Sequence, residues 1–275
     1  MGTLFLAAAA TAPTPGLFGL VTSKMAFQFL LVVAYALAVY ILVRRARAGL
    51  PVPPIRKIPG LEALEESVGR ATEMGRPLMF IPGIGDLSDA QTYAAFAVLS
   101  HTAKACARYD TRMIVTNASY LAQPVTEEIV RQSYLEAGRP EAYNPEDVRY
   151  LSGDQFAWTS AVIGIMHREK SAANIMVGVF AAEALLLAEA GHQVGAVQIA
   201  ASTNTFQLPF FFVVCDYTLI GEEMYAAGAY LAKEPTLTGT VGAQDWGKML
   251  LLAIVVLGTI LETVGSKWLR NLLAK

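Results

Sequence analysis

Residues 77–137 decide the fold, because two short apolar runs, PLMFIP at 77–82 and RMIVTN at 112–117, are each followed by a helical stretch, at 88–109 and at 124–137. Apolar runs of this length, bounded by residues that favour turns, are typical of buried strands. A strand, helix, strand, helix order favours a parallel sheet. The sequence therefore predicts an α/β fold: a doubly wound, mostly parallel sheet with helices on both faces.

The segments that follow extend this pattern with one ambiguity. Short apolar runs do not settle a period, so residues 174–180 fit either a buried strand or the start of a longer helix that runs to residue 190. The other predicted elements are a polar loop at 141–153, a helix at 154–168, strands at 194–201 and 210–215, and an amphipathic helix at 218–232. Only about eight residues separate the last two strands, whereas a parallel crossover needs a dozen or more. We therefore expect one antiparallel strand, or two strands that are not neighbours.

Charge is separated along the chain, although the net charge is only -2. Residues 1–50 carry +4, residues 51–248 carry -8 and residues 249–275 carry +2. An acidic domain without a cluster of Lys or Arg repels phosphate backbones, which argues against nucleic acid as a partner. The basic flanks instead suit anionic lipid head groups.

The first flank contains a candidate transmembrane helix. Residues 25–43 are uncharged and are closed by Arg44, Arg45 and Arg47. About 20 apolar residues cross a bilayer core as a helix. The alternative is a cleaved signal peptide, but its positive charge would precede the apolar run instead of following it. Because positive charge stays on the cytoplasmic side, we expect a cell-membrane protein whose soluble domain faces the cytoplasm.

The second flank is less decisive. Residues 249–261 are uncharged, but Glu262 interrupts them, so the segment fits a second transmembrane helix or a core or interfacial helix. The predicted organisation is an N-terminal segment at 1–48 with the first helix at about 25–43, a proline-rich linker at 49–60, the α/β domain at 61–235, a Gly- and Thr-rich linker at 236–248, and the second apolar helix with a basic tail at 249–275.

Candidate binding residues follow the predicted strands. In an open α/β sheet, ligands bind at the carboxyl ends of the strands. The residues expected at those ends are Gly83, Gly85, Asp86, Asn117, Ser202, Thr203, Asn204 and Asp216. They form the one candidate ligand site that the sequence indicates.

The turn at Gly83, Gly85 and Asp86 resembles a phosphate cradle, because glycine lets a backbone approach a ligand and amides at a helix start attract anions. It lacks the third glycine of the dinucleotide fingerprint and the lysine of a P-loop. The competing interpretation is a tight turn whose acidic groups complement a helix dipole. Asp216 has a similar alternative, as the cap of a helix that begins at Thr218.

No catalytic residue, metal site or cofactor emerges from the sequence. Cys106 and Cys215 lie far apart in apolar surroundings, so two buried thiols are expected instead of a disulfide, and no Cys or His spacing matches a zinc site.

Two features favour assembly. Glu183 lies in an apolar run and needs a partner, which another subunit could supply. Alanine-rich helices, around Ala94 and Ala227, permit close approach, either within a dense core or between subunits. We therefore expect membrane lipid and a homo-oligomer or membrane complex as partners.

Two function classes remain. The first is a non-catalytic membrane-anchored subunit or scaffold, whose cytoplasmic α/β domain self-associates or docks partners. The second is an α/β domain that binds a small anionic or nucleotide-like ligand, or acts on it, at the strand ends. A transporter would need more membrane spans than one or two.

Overall fold

The computed structural model describes residues 26–49, 59–232 and 235–265. The predicted linker at 49–60 and the basic tail after residue 265 fall largely or wholly outside these residues. The chain forms two compact units. One is Ile55–Glu234, and the other combines Met1–Pro54 with Pro235–Lys275.

The first unit is built on a parallel sheet. Its six described strands are β1 Leu78–Gly83, β2 Met113–Asn117, β3 Val148–Tyr150, β4 Ala173–Val179, β5 Val197–Ser202 and β6 Tyr217–Ile220. Their order across the sheet is β3-β2-β1-β4-β5-β6, and every neighbouring pair is parallel. The predicted α/β class is confirmed, and the sheet is wholly parallel among the described strands.

Helices cover both faces of this sheet. They are α2 Pro59–Met74, α3 Ala90–Tyr109, α4 Ala122–Glu136, α5 Gln155–Glu169, α6 Glu183–Gln193, α7 Leu208–Val214 and α8 Glu222–Ala232. Side chains alternate along β1, because Leu78 and Phe80 join the core under α2, α3, α4 and α8, whereas Met79 and Ile81 join the core under α5, α6 and α7. A strand with both faces buried explains the continuous apolar run that predicts it.

The strand predicted at 210–215 is wrong, because these residues lie mostly in helix α7. Pro209 occupies the first turn of that helix, where its missing N–H costs nothing. Phe211 is fully buried and its ring meets that of Phe180 edge to face at 5.3 Å, whereas Val213 is 84% exposed. Aromatic and β-branched residues favour strands in general, but here one buried ring fixes a short surface helix.

The last strand lies later in the chain than predicted. β6 occupies the start of the predicted helix at 218–232, and α8 begins only after Gly221. The β5 to β6 connection therefore contains α7 and is long enough for a parallel crossover. The expectation of an antiparallel or separated strand is wrong, because it rested on the misplaced strand at 210–215.

The polar stretch at 141–153 contains β3, a three-residue edge strand that the sequence does not reveal. The ambiguous residues 174–180 lie in β4 and the turn after it, and α6 starts separately at Glu183. The two early strands and their helices agree with prediction within a few residues.

The second unit is a helical hairpin of α1 Ala26–Arg47 and α9 Pro235–Thr263. Both helices are long and apolar enough to cross a membrane. The Gly- and Thr-rich linker predicted at 236–248 is wrong, because α9 is continuous from Pro235. Gly239 and Gly247 pack closely on α1 and do not interrupt the helix.

Candidate functional site

The carboxyl ends of β1 and β4 mark the centre of the candidate site. The chain leaves β1 towards β2 on one side and leaves β4 towards β5 on the other, so the connections diverge between these two strands. The same strand order occurs in dinucleotide-binding folds, which hold their ligands at this point. A shared strand order does not establish a shared function. Whether this point can bind a ligand depends on the side chains there.

Gly83 and Gly178 let β1 and β4 approach each other at this point. Gly83 has φ +79°, and a Cβ there would lie 2.1 Å from the backbone oxygen of Val179. Gly178 has φ +152°, and its Cβ would lie 1.9 Å from the oxygen of Pro82. The amide of Ile84 donates to the oxygen of Val179 at 2.9 Å. The space that Gly83 leaves open is therefore occupied by the neighbouring strand.

Gly85 lies against α3 and β4 in the same way. A Cβ at Gly85 would be 2.6 Å from Thr92 Oγ1 and 2.7 Å from a methyl group of Val179. Thr92 is 2% exposed, and its Oγ1 has no hydrogen-bond partner among the described residues. A buried hydroxyl without a partner is the one unsatisfied polar group observed beside this glycine turn.

Asp86 ties the first two strand-end loops together. Its Oδ1 accepts from the Ser119 hydroxyl and from the Leu87 amide, both at 2.8 Å. The Asp86 amide in turn donates to Asp89 Oδ2 at 3.0 Å. Asp86 therefore acts as a bridge between the β1 and β2 loops.

Asn117 is 1% exposed at the end of β2. Its side-chain amide donates to Gln123 Oε1 at 2.6 Å, and its oxygen accepts from the Thr126 hydroxyl at 3.3 Å. Gln123 also donates to the backbone oxygen of Val148 on the way into β3. Both ends of the Asn117 side chain are used within the domain.

Ser202 at the end of β5, with Thr203 and Asn204 after it, joins this strand end to α3 and to the turn after β4. The Thr203 amide donates to Gln91 Oε1 at 3.1 Å, and the Asn204 side chain donates to the oxygen of Phe180 at 3.0 Å. The Ser202 hydroxyl is fully buried and accepts from the Asn204 amide at 3.3 Å. Sequence reasoning missed Gln91, which carries no signal beyond its place in the first turn of α3.

Asp216 lies at the amino ends of the strands, whereas the other candidates lie at the carboxyl ends. It precedes β6, and its Oδ2 accepts from the amide of Gln198 near the start of β5 at 2.8 Å. The predicted strand at 210–215 would have ended at the carboxyl edge. Because that segment is α7, Asp216 instead borders a groove of about 970 Å³ at the amino edge, beside α2.

Glu183 finds its partners inside the chain. It is fully buried at the first turn of α6, accepts from the Gln155 side chain, and accepts from the Ala181 amide at 2.9 Å. This bond links the β3 and β4 loops and satisfies the carboxylate without a second subunit. The alanine-rich helices also pack within the domain, since Ala227 is fully buried and Ala94 is 8% exposed.

Five exposed aromatic residues lie at or after the ends of strands in the chain, and sequence reasoning missed them. We call this set the aromatic rim. Tyr150 is the last residue of β3, and the other four lie in the segments that follow β1, β2, β3 and β5. The exposed fractions are 57% at Tyr93, 68% at Tyr120, 44% at Tyr150, 55% at Phe156 and 81% at Phe206. Exposed aromatic side chains are enriched at protein contact surfaces.

Both cysteines are free and poorly nucleophilic. Burial raises the pKa of the Cys106 thiol to about 12. Burial, followed by the negative charge of Asp216, raises the pKa of the Cys215 thiol to about 12. Among the described residues, no group of three or more His, Cys, Asp or Glu side chains could hold a metal ion.

A known family model matches residues 18–273 of the chain. The chain belongs to the DUF6754 family, described as a domain of unknown function. The match spans the described residues of both the hairpin and the α/β domain. No curated protein and no solved structure is significantly similar to the chain.

Proposed function

We propose that this chain is a non-catalytic membrane-anchored subunit or scaffold, whose α/β domain faces the cytoplasm and self-associates or docks partners. The observation that carries this proposal is the aromatic rim around strand-end loops whose polar groups are largely bonded to one another. A catalytic or ligand-binding crevice would keep polar groups open to a substrate, whereas a contact surface offers apolar side chains.

The hairpin supports the anchor. Val33, Leu37 and Ile41 of α1 are about half exposed, as are Leu252 and Val256 of α9. Apolar surface of this extent costs free energy in water and is stable in lipid. Arg44, Arg45 and Arg47 stand at the end of α1 that leads to the domain, which supports a cytoplasmic domain by the positive-inside rule.

The anchor is tested in membranes that contain the full chain. We expect the chain to stay in the pellet after alkaline carbonate extraction. Trypsin should digest the α/β domain when it is added from the cytoplasmic side only. Release of the chain by carbonate would contradict the anchor, and digestion from the outer side alone would reverse the orientation.

Docking through the aromatic rim is tested with a photo-reactive phenylalanine analogue at Phe206 or Tyr120. The matched control is Tyr109, which is 52% exposed but lies at the far end of α3. We expect the two rim positions to give the same discrete adduct in native membranes and Tyr109 to give none. Equal adducts at all three positions, or no adduct at the rim, would contradict this docking surface.

The second candidate function is binding of an anionic or nucleotide-like ligand between β1 and β4. Two observations favour it: the strand order and the unpartnered Thr92 Oγ1 beside the glycine turn. Calorimetric titration with ATP and with inorganic phosphate tests it. Saturable binding that Thr92→Val weakens would favour this function over the scaffold, whereas the absence of binding would remove it.

A further inference from the structure

Two close contacts between α1 and α9 define the axial register of the hairpin. A Cβ at Gly239 of α9 would lie 2.9 Å from the Cα of Val43, and a Cβ at Gly247 would lie 3.0 Å from the ring of Tyr35. The two contacts are eight residues apart on each helix and in opposite order. The helices are therefore antiparallel, and their relative position along the hairpin is known to within about one residue.

This register places an ion pair at the middle of the uncharged segment of α1. Asp245 and Lys248 of α9 pair at 3.4 Å. Counted from the contact of Tyr35 with Gly247, Lys248 lies level with Ala34 and Asp245 level with Leu37. Ala34 is the central residue of the uncharged segment 25–43. If that segment spans the bilayer, both charges lie deep in its hydrocarbon core.

The ion pair lies on the outer face of the hairpin. Ala243, which is 1% exposed, marks the face of α9 that packs on α1. At 3.6 residues per turn, Asp245 and Lys248 lie about 160° and about 140° around the helix from it. Their side chains are 47% and 45% exposed. The exposed part of each side chain therefore faces away from α1.

Six residues on the same outer face of α9 are regularly spaced along the sequence. Val241, Asp245, Lys248, Leu252, Val255 and Thr259 follow one another at intervals of four, three, four, three and four residues. We call these six residues the outer seam. Alternating intervals of three and four keep side chains facing a partner helix throughout a left-handed pair, and polar groups within such a seam set its register and its number of strands.

We infer that the outer seam of α9 binds the same seam of a second copy of this chain, with Asp245 and Lys248 of both copies forming one buried network. Charged side chains within a membrane face protein or water and pair with one another. Two copies with the same topology meet around an axis normal to the membrane, so their α9 helices run parallel. Asp245 then lies one seam layer from the neighbour's lysine, and the four charges sum to zero.

This inference rests on the proposed membrane anchor, and it assigns the self-association to α9. It also replaces the two earlier grounds for an oligomer, because Glu183 and the alanine-rich helices find their partners within one chain. The site is incomplete in a single copy, where lipid would surround an exposed ion pair.

Oxidative cross-linking of single cysteines in native membranes tests the seam. Leu252→Cys lies on the outer seam, and its control Leu250→Cys has the same residue type, is two residues away, and faces the α1 side. Their native side chains are 61% and 56% exposed. We expect a disulfide-linked dimer several-fold more abundant with Leu252→Cys than with Leu250→Cys. The unmodified chain, which keeps Cys106 and Cys215, gives the baseline.

Charge variants in the Leu252→Cys chain test the network. Asp245→Leu leaves two lysines facing each other and should lower the dimer fraction several-fold. Asp245→Lys combined with Lys248→Asp restores four balanced charges and should recover it. Equal cross-linking at positions 250 and 252, none at 252, or no response to Asp245→Leu would overturn the inference. Chains that stay in the carbonate pellet while failing these tests keep the anchor and lose only the seam, whereas release by carbonate ends both.

Discussion

At the scale of single residues, the strand-end loops hold one another. Asp86, Gln91, Gln155 and Asn204 each carry a hydrogen bond from one loop to another. The sequence predicts that Gly83 and Gly85 either let the backbone approach a ligand or form a tight turn, and in the structure a Cβ at Gly83 would meet the backbone of β4. It does not predict what approaches, because the neighbour of Gly83 is β4, which lies about 95 residues further along the chain.

Replacement of Gly83 by alanine should therefore destabilise the α/β domain. A Cβ at this position meets a backbone oxygen at 2.1 Å, so either strand must move. We expect a loss of more than about 3 kcal/mol in the free energy of unfolding. The control Gly138→Ala has a similar φ of +76° with nothing within 4 Å, and should lose only about 1–2 kcal/mol. Thermal unfolding of both variants in detergent measures the difference, and equal losses would contradict the close approach.

The thiols should be inert in the folded chain. With a pKa of about 12, each cysteine is almost wholly protonated at pH 8, because its thiolate form appears only as the pH approaches that value. We expect alkylation at pH 8 to leave both residues unmodified until denaturant is added, as measured by intact mass. Rapid labelling of the native chain would contradict the burial of Cys106.

At the scale of elements, the spacing of apolar residues and the length of each element decide which helices and strands the sequence predicts. The first two strands are recognisable because both of their faces are buried and helices follow them. β3 has only three residues at the edge of the sheet, too few for any pattern. The composition of FFFVV at 210–214 predicts a strand. The segment is a helix in which the ring of Phe211 packs on that of Phe180, a contact that composition does not predict. The wrong strand at 210–215 also made the predicted positions of the last strand and of Asp216 wrong.

A pair of substitutions in α7 separates helix from strand. Residues two apart share a face in a strand but not in a helix. We expect Phe211→Ala to lose about 3–5 kcal/mol of stability, because the ring is fully buried. Val213→Ala should change stability by less than about 0.5 kcal/mol. Comparable losses in denaturant titrations of both variants would favour a strand.

At the scale of the whole molecule, the α/β unit has its own core, and we expect it to fold without the hairpin. We expect a chain of residues 55–234 to unfold cooperatively and to be monomeric by light scattering, at concentrations where the full chain in mild detergent is a dimer. A dimeric fragment would place self-association in the α/β domain. A fragment that does not unfold cooperatively would show that the hairpin contributes to its fold.

The insertion of the α/β unit between two antiparallel helices sets an order of events during synthesis. About 190 residues separate α1 from α9, and at roughly 5–20 residues per second a ribosome needs about 10–40 seconds to make them. In the proposed membrane setting, α1 waits in the lipid alone for that time, which its uncharged segment permits. α9 arrives last, and because Asp245 and Lys248 face away from α1, their balanced network forms only when the α9 helices of two completed copies meet.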